Sequence, residues 1–161
     1  MGRIHFMKFE EADFPKYYDL VSDIRVMRQI TEYALAEEEA KEKFKKLLAR
    51  NRSCAQLGSF QVLETSSQAF IGLAHLTIDE EHPSKAELGY MLLPQYWNQG
   101  YGTETMGLLM NRAAECHLTE LTAMIDPDNV ASRKLLIRHG FHSTYLGTMD
   151  GLSTEILSKQ L

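Results

Sequence analysis

Residues 86–117 begin Ala86-Glu87-Leu88-Gly89-Tyr90-Met91-Leu92-Leu93-Pro94-Gln95-Tyr96-Trp97-Asn98-Gln99-Gly100-Tyr101-Gly102-Thr103-Glu104 and continue as an apolar-periodic run to His117. An alternating stretch enters an aromatic, proline-marked turn, passes through Gly-x-Gly, and continues with Met106, Leu109, Met110 and Ala113 at helical spacing. The expected order is strand, glycine loop, helix. Such a junction collects unpaired backbone N–H groups and the positive end of a helix dipole at one point, where an anion, most often a phosphate, is stabilised. Gly100 and Gly102 let the backbone approach that anion closely, although glycines so spaced also serve merely to turn a chain.

The two common nucleotide loops do not fit. A dinucleotide fingerprint would need a third glycine where Thr105 stands, and no Gly-Lys-Ser or Gly-Lys-Thr follows for a phosphate-binding P-loop. The rest of the chain is ordinary for one globular domain spanning residues 1–161, with 44% hydrophobic and 24% charged residues, which excludes disordered and fibrous classes. No apolar run approaches the roughly 18 residues that span a bilayer, and the first residues form neither a signal peptide nor a myristoylation pattern. A cytoplasmic protein without membrane attachment is expected. The net charge of -5 argues against a nucleic-acid surface and weakly favours a cationic partner. Cys54 and Cys116 lie far apart without histidines at ligand spacing, so they read as reduced structural thiols and no metal is expected. The scattered histidines, His75 among them, read as structural.

A second cluster follows, Asp126-Pro127-Asp128-Asn129-Val130-Ala131-Ser132-Arg133-Lys134-Leu135-Leu136-Ile137-Arg138-His139-Gly140-Phe141. The order of these parts resembles the GNAT superfamily of acyl-CoA-dependent N-acyltransferases. More narrowly, Trp97-Asn98-Gln99-Gly100-Tyr101-Gly102-Thr103-Glu104 with Asn129-x-x-Ser132 and Gly140-Phe141 looks like the RimJ/RimL type, which includes acetylases of ribosomal-protein N-termini. The resemblance covers nearly the whole chain. It implies a GNAT-like α/β fold: one domain, a mixed central sheet of about six to seven strands splayed at the acyl-CoA site, and about four to five flanking helices.

The pattern along the chain agrees. Residues 3–9 read as a strand, Pro15 marks a helix start with Phe14, Tyr17, Tyr18 and Val21 on one face, and residues 24–30 read as a short helical segment. Residues 35–50 form a longer helix whose Glu37-Glu38-Glu39 start and basic end complement its dipole. Residues 58–64, 68–79 and 86–93 read as antiparallel strands, and 121–126 as a parallel neighbour reached through the helix at 101–117. A helix at 129–138, closed by Gly140, and a hairpin of residues 141–147 and 152–158 complete the domain. An exposed strand edge would favour a homodimer over a monomer, but the sequence does not locate one.

Acyl transfer from a thioester to an amine needs a cradle for the donor, polarisation of its carbonyl, a base for the ammonium and a proton for the thiolate. The resemblance implies acetyl-CoA as donor, with its pyrophosphate on the main chain from Gln99 through Gly100, Tyr101, Gly102 and Thr103, and Glu104 one step into the helix. Trp97 stands where the superfamily pattern has Arg or Gln, which removes one polar contact. A main-chain N–H among Met91, Leu92 and Leu93 is expected to polarise the carbonyl. By period two, Glu87 shares a strand face with Gly89 and Met91, and Gly89 is expected to leave open space beside it. Glu87 reads as a general base or as an ion-pairing edge residue.

The tyrosine that many GNAT enzymes place seven residues after the asparagine is Leu136 here, so Ser132 is the implied hydroxyl donor to the CoA sulfur, with Tyr145 as a substitute; Ser132 could equally serve the backbone. Asn129 suits a pantetheine amide and also a helix N-cap. The resemblance implies an acceptor that is a primary amine, a protein N-terminus or a small molecule, met by the segment Asp23 to Tyr33 and the late hairpin near Gly147 to Gly151; Asp23, Glu32, Tyr33 and Asp150 could greet a cation there or be solvated surface. Two functions fit: an N-acetyltransferase, or a non-catalytic acyl-CoA sensor on the same fold.

Overall fold

A computed structural model describes residues 2–161. Its seven strands form one mixed sheet in the order β1-β2-β3-β4-β5-β7-β6. The strands are β1 (Ile4–Lys8), β2 (Gly58–Glu64), β3 (Phe70–Ile78), β4 (Lys85–Leu92), β5 (Glu120–Ile125), β6 (His142–Met149) and β7 (Leu152–Gln160). Five helices flank it: α1 (Phe14–Val21), α2 (Ile24–Met27), α3 (Glu37–Ser53), α4 (Tyr101–Glu115) and α5 (Val130–Arg138). The first four strands are antiparallel, β4 and β5 run parallel, and β7 inserts between β5 and β6. The α/β class, the mixed sheet and the parallel step after α4 are as the pattern led one to expect.

Each sheet face carries its own core. Leu88 and Leu92 of β4 pack with Met106 and Leu109 of α4 and Leu135 of α5, whereas Leu73 of β3 packs with Tyr17, Leu20, Phe44 and Leu47 of α1 and α3. The alternation along β4 therefore decides which side chain meets which helix layer.

Local chemistry accounts for most element ends. Asp23 caps α2 by accepting from Arg25 N at 2.9 Å. Gly140 adopts φ 91 just past α5, closing that helix with a left-handed residue. Asp150 and Gly151, at φ 52 and 80, make the two-residue turn of the β6–β7 hairpin.

Two boundaries differ from the pattern. The segment expected to be helical to residue 30 ends at Met27, because the amides of Ile30, Thr31 and Glu32 all converge on the Met27 carbonyl and Glu32 turns left-handed at φ 72. Helix α3 begins two residues after Leu35, whose amide is held by Val21 O at 2.9 Å. The sheet edges that the sequence could not locate are β1 and β6, of which β6 is exposed along nearly all of its length.

Candidate active site

The loop before α4 is built to leave amides free. Asn98 and Gly100 take left-handed torsions, φ 60 and 85, and Gly100 is the N-cap residue without any side-chain cap. The first amide of the turn with a partner is Glu104, donating to Gly100 O at 3.2 Å. The N–H groups of Gln99, Gly100, Tyr101, Gly102 and Thr103 have no acceptor among the described residues. Together with the helix dipole they form a site for an anion. A side chain at 102 would crowd the cleft as well, since a Cβ there would lie 3.2 Å from the Tyr90 hydroxyl.

Two side chains of the quoted loop turn away from that site. Tyr101 is buried and donates its hydroxyl to Glu64 at 2.9 Å. Glu104 is held by Arg3, whose Nε lies 2.6 Å from Oε2 while its Nη2 donates to Gln99 O at 2.8 Å. The Arg3 guanidinium also stacks over the Tyr101 ring at 4.1 Å. Tyr101 and Glu104 thus brace the loop from behind, and the Glu104 amide is bonded within the helix.

Strands β4 and β5 pair only at Lys85–Glu120, Ala86–Leu121 and Glu87–Thr122, then part. The gap is the floor of a cleft of about 570 Å³ lined by Tyr90, Met91 and Leu92 on one side, Met124 and Ile125 on the other, and the α4 loop above. Backbone N–H groups along a strand alternate between its two edges. Leu93 donates to Ile71 O on β3 at 2.9 Å, so the Met91 amide also faces β3, and those of Leu92 and Tyr90 face the gap. Of the three candidates only Leu92 presents its N–H to the cleft. Trp97 borders the same place: its Nε1 donates to Leu92 O at 2.8 Å. The residue that departs from the polar pattern therefore pins the end of the strand.

Glu87 is the last β4 residue paired with β5, at the vertex of the splay. Its side chain reaches solvent, but protein surrounds it closely enough that desolvation pushes its carboxyl pKa up, with the Arg50 guanidinium pulling the other way. The open space expected at Gly89 is taken. His75, paired with Gly89 across β3 and β4, fills it, and a Cβ on Gly89 would lie 2.6 Å from the His75 Nε2. Burial, with Arg50 adding to it, brings the His75 pKa down to about 4, so the ring is neutral at pH 7.

On the other face, the Asn129 side chain caps α5 by accepting from Ser132 N at 3.2 Å. The Ser132 hydroxyl lies near the Tyr90 phenol, whose pKa is raised by burial while Ser132 acts the other way. Asn129, Ser132 and Tyr90 all border the cleft. Tyr145 does not; its hydroxyl donates to Thr148 O within the β6–β7 hairpin at 3.3 Å. On the helical side, Arg25, Val26, Gln29 and Ile30 border the cleft. Asp23 is bound by Arg25 at 2.7 Å and the Tyr33 hydroxyl donates to Glu39, so neither carries a free group for an amine.

Sequence reading missed His75, Tyr90 and Arg50. Tyr90 stood next to the quoted glycine face and could have been found by the period-two alternation. His75 and Arg50 carry no local signal, because only strand register and helix packing bring them to Glu87.

Residues 3–142 match the acetyltransferase (GNAT) domain family. The uncharacterized N-acetyltransferase YnaD of Bacillus subtilis (strain 168) is 28% identical over 142 residues, 86% of this chain and 78% of that protein. Among solved structures, a GNAT-family acetyltransferase from Bacillus anthracis aligns with a TM-score of 0.79 at 21% identity, covering 99% of this chain and 95% of that one. Spermidine N-acetyltransferase from Vibrio cholerae, solved with CoA and spermine, aligns at 0.81 and 16% identity, covering 98% and 95%. At such identities the structural likeness speaks to the fold alone, and it is the match over most of the chain's length that settles kinship: this chain belongs to the GNAT family of N-acetyltransferases.

Proposed function

We propose that the protein moves an acetyl group from acetyl-CoA to a primary amine by direct transfer in a ternary complex, with an architecture of the RimJ/RimL type. The observation that carries this reading is the row of unbonded amides from Gln99 to Thr103 opening directly onto the gap between β4 and β5. A diphosphate fits the amides, and an extended amide chain fits the exposed strand edge of the gap. Acetyl-CoA supplies the reactive thioester there. The Leu92 N–H polarises the carbonyl, and Asn129 borders the same edge. Met91, Leu93 and Glu104 contribute through the backbone path and its bracing, not through a free amide.

Glu87 takes a proton from the ammonium, the freed nitrogen lone pair attacks the thioester carbonyl carbon, and the second proton that the nitrogen sheds on becoming an amide restores, through water, the one given up to the thiolate. The carbon–sulfur bond breaks, and the departing thiolate receives a proton from the Tyr90–Ser132 hydroxyl pair, with Ser132 as the nearer relay to the α5 side. A carboxylate whose pKa is raised by its surroundings is a better match to this task than a fully solvated one. The free thiols of Cys54 and Cys116 accord with a reducing, cytoplasmic setting.

Following free thiol while a panel of amines is mixed with protein and acetyl-CoA tests the reading. Release that depends on an amine is expected. Acetyl-CoA binding without release would instead make the fold a sensor, and no association at all would remove the cradle. In the Glu87→Gln variant the loss of turnover should be largest at low pH and shrink as the free amine becomes abundant. An unchanged pH profile would take Glu87 out of the mechanism.

A further inference from the structure

A second cavity, about 690 Å³, lies on the opposite face of the sheet under the C-terminal end of α3. Its floor is polar where a sheet face under a helix is ordinarily apolar. Ser59, His75 and Gly89 are register partners across β2, β3 and β4, and Thr77, Glu87 and Thr122 are partners across β3, β4 and β5. Met91 borders both this cavity and the donor cleft, and Glu87 at the vertex of the splay belongs to its floor. The two spaces therefore meet at β4.

Around the cavity Lys85 binds Glu120 at 3.1 Å, and the Asp79 carboxylate accepts from Glu81 N at 2.9 Å. Glu87 and Arg50 remain, and among the described residues neither has an ion-pair partner within 4.0 Å. Arg50 is nonetheless near enough to Glu87, His75 and Tyr17 to act on all three electrostatically. The Tyr17 hydroxyl has no hydrogen-bond partner among the described residues, and burial pushes its pKa up to about 12, so it is a neutral donor.

Resting on the acetyl-transfer reading above, we infer that this cavity holds the acceptor and that the acceptor is a small amino-carboxylate. Its amine faces Glu87 and its carboxylate is bound by the Arg50 guanidinium and the Tyr17 hydroxyl. A polyamine would place a second cation against Arg50, and a protein N-terminus carries an uncharged amide where the carboxylate belongs. The neutral His75 adds no charge of its own and shapes the wall between the two groups. Both unpaired charges gain a counter-charge from one zwitterion.

The test compares amino acids with their carboxamides and with diamines of similar length, at saturating acetyl-CoA, by thiol release. The amino acid should exceed its carboxamide by about tenfold or more in kcat/KM, the worth of one charge-assisted hydrogen-bonded pair. Arg50→Gln should bring the two close to equality by lowering only the amino-acid rate, Arg50→Lys should restore part of the preference, and Arg50→Glu should shift it toward diamines. Arg50 is exposed on the last turns of α3, so these variants retain the fold, and circular dichroism checks that they do. Carboxamides or diamines used as well as amino acids, or a preference that survives Arg50→Gln, would overturn the zwitterion while leaving acetyl transfer in place. Thiol release from no amine at all would overturn both.

Discussion

The His75 imidazole occupies the space that Gly89 vacates on the neighbouring strand, so closely that a methyl group on Gly89 would come within 2.6 Å of Nε2. The ring is further held by Thr77 Oγ1, 3.3 Å from Nδ1. Gly89→Ala therefore forces His75 or the β3–β4 ladder to move, at a cost of about 1–3 kcal/mol. Denaturant unfolding should show that loss, and Gly89→Ala combined with His75→Ala should recover part of it. Equal stability of Gly89→Ala and the parent would mean that the ring swings aside freely.

The same ring makes stability depend on pH. Its folded pKa of about 4 lies below the ordinary 6.5, so the unfolded chain takes up the proton first. Stability from this group is complete above 6.5 and declines as the pH falls toward 4. The full loss is roughly 3 kcal/mol. His75→Gln, which does not titrate, should flatten that limb of the unfolding free energy. A limb of the same slope in the variant would assign the acid sensitivity to other groups.

Arg3 and Glu104 join the start of β1 to the first turn of α4 through a 2.6 Å contact, with the Arg3 side chain 49% exposed. In such solvent the pair itself contributes no more than about 1 kcal/mol. Its larger effect lies in fixing Gln99 and Tyr101, and with them the amide row. Arg3→Ala should accordingly change the unfolding midpoint little and raise the KM for acetyl-CoA by about tenfold or more, the cost of one lost hydrogen bond to a charged group. A double-mutant cycle with Glu104→Ala should show the two effects to be non-additive; simple additivity would uncouple Arg3 from the loop.

Trp97 is the protein's single tryptophan and stands at the lip of the cleft with its Nε1 on Leu92 O. Intrinsic fluorescence should thus change saturably on titration with CoA. Trp97→Phe should weaken that association by about tenfold, because the strand end at the proposed donor site loses its restraint. A titration without spectral change would place the coenzyme elsewhere.

Strand, glycine loop and helix were legible from residues 86–117 because each depends on neighbours a few positions away: alternation, a proline turn, a left-handed glycine, a helical apolar face. The caps of α2 and α5 and the Asp150-Gly151 turn are local in the same sense; Asn129 and Ser132 border the cleft and Glu87 stands at its vertex. The membership of the site beyond those motifs was not legible. Arg3 meets Glu104 across 101 positions of chain, and His75 meets Gly89 only through the β3–β4 register. The strand order that sets β5 apart from β4 after Glu87 leaves no local trace either. Sequence by itself determined which segments are strands or helices and where the turn before α4 falls, because hydrogen bonding and torsion act over short separations. Tertiary structure alone decided which amide faces the gap, what fills the space at Gly89, and that Arg50 shares a cavity with Glu87, because those outcomes depend on register and packing between segments distant along the chain.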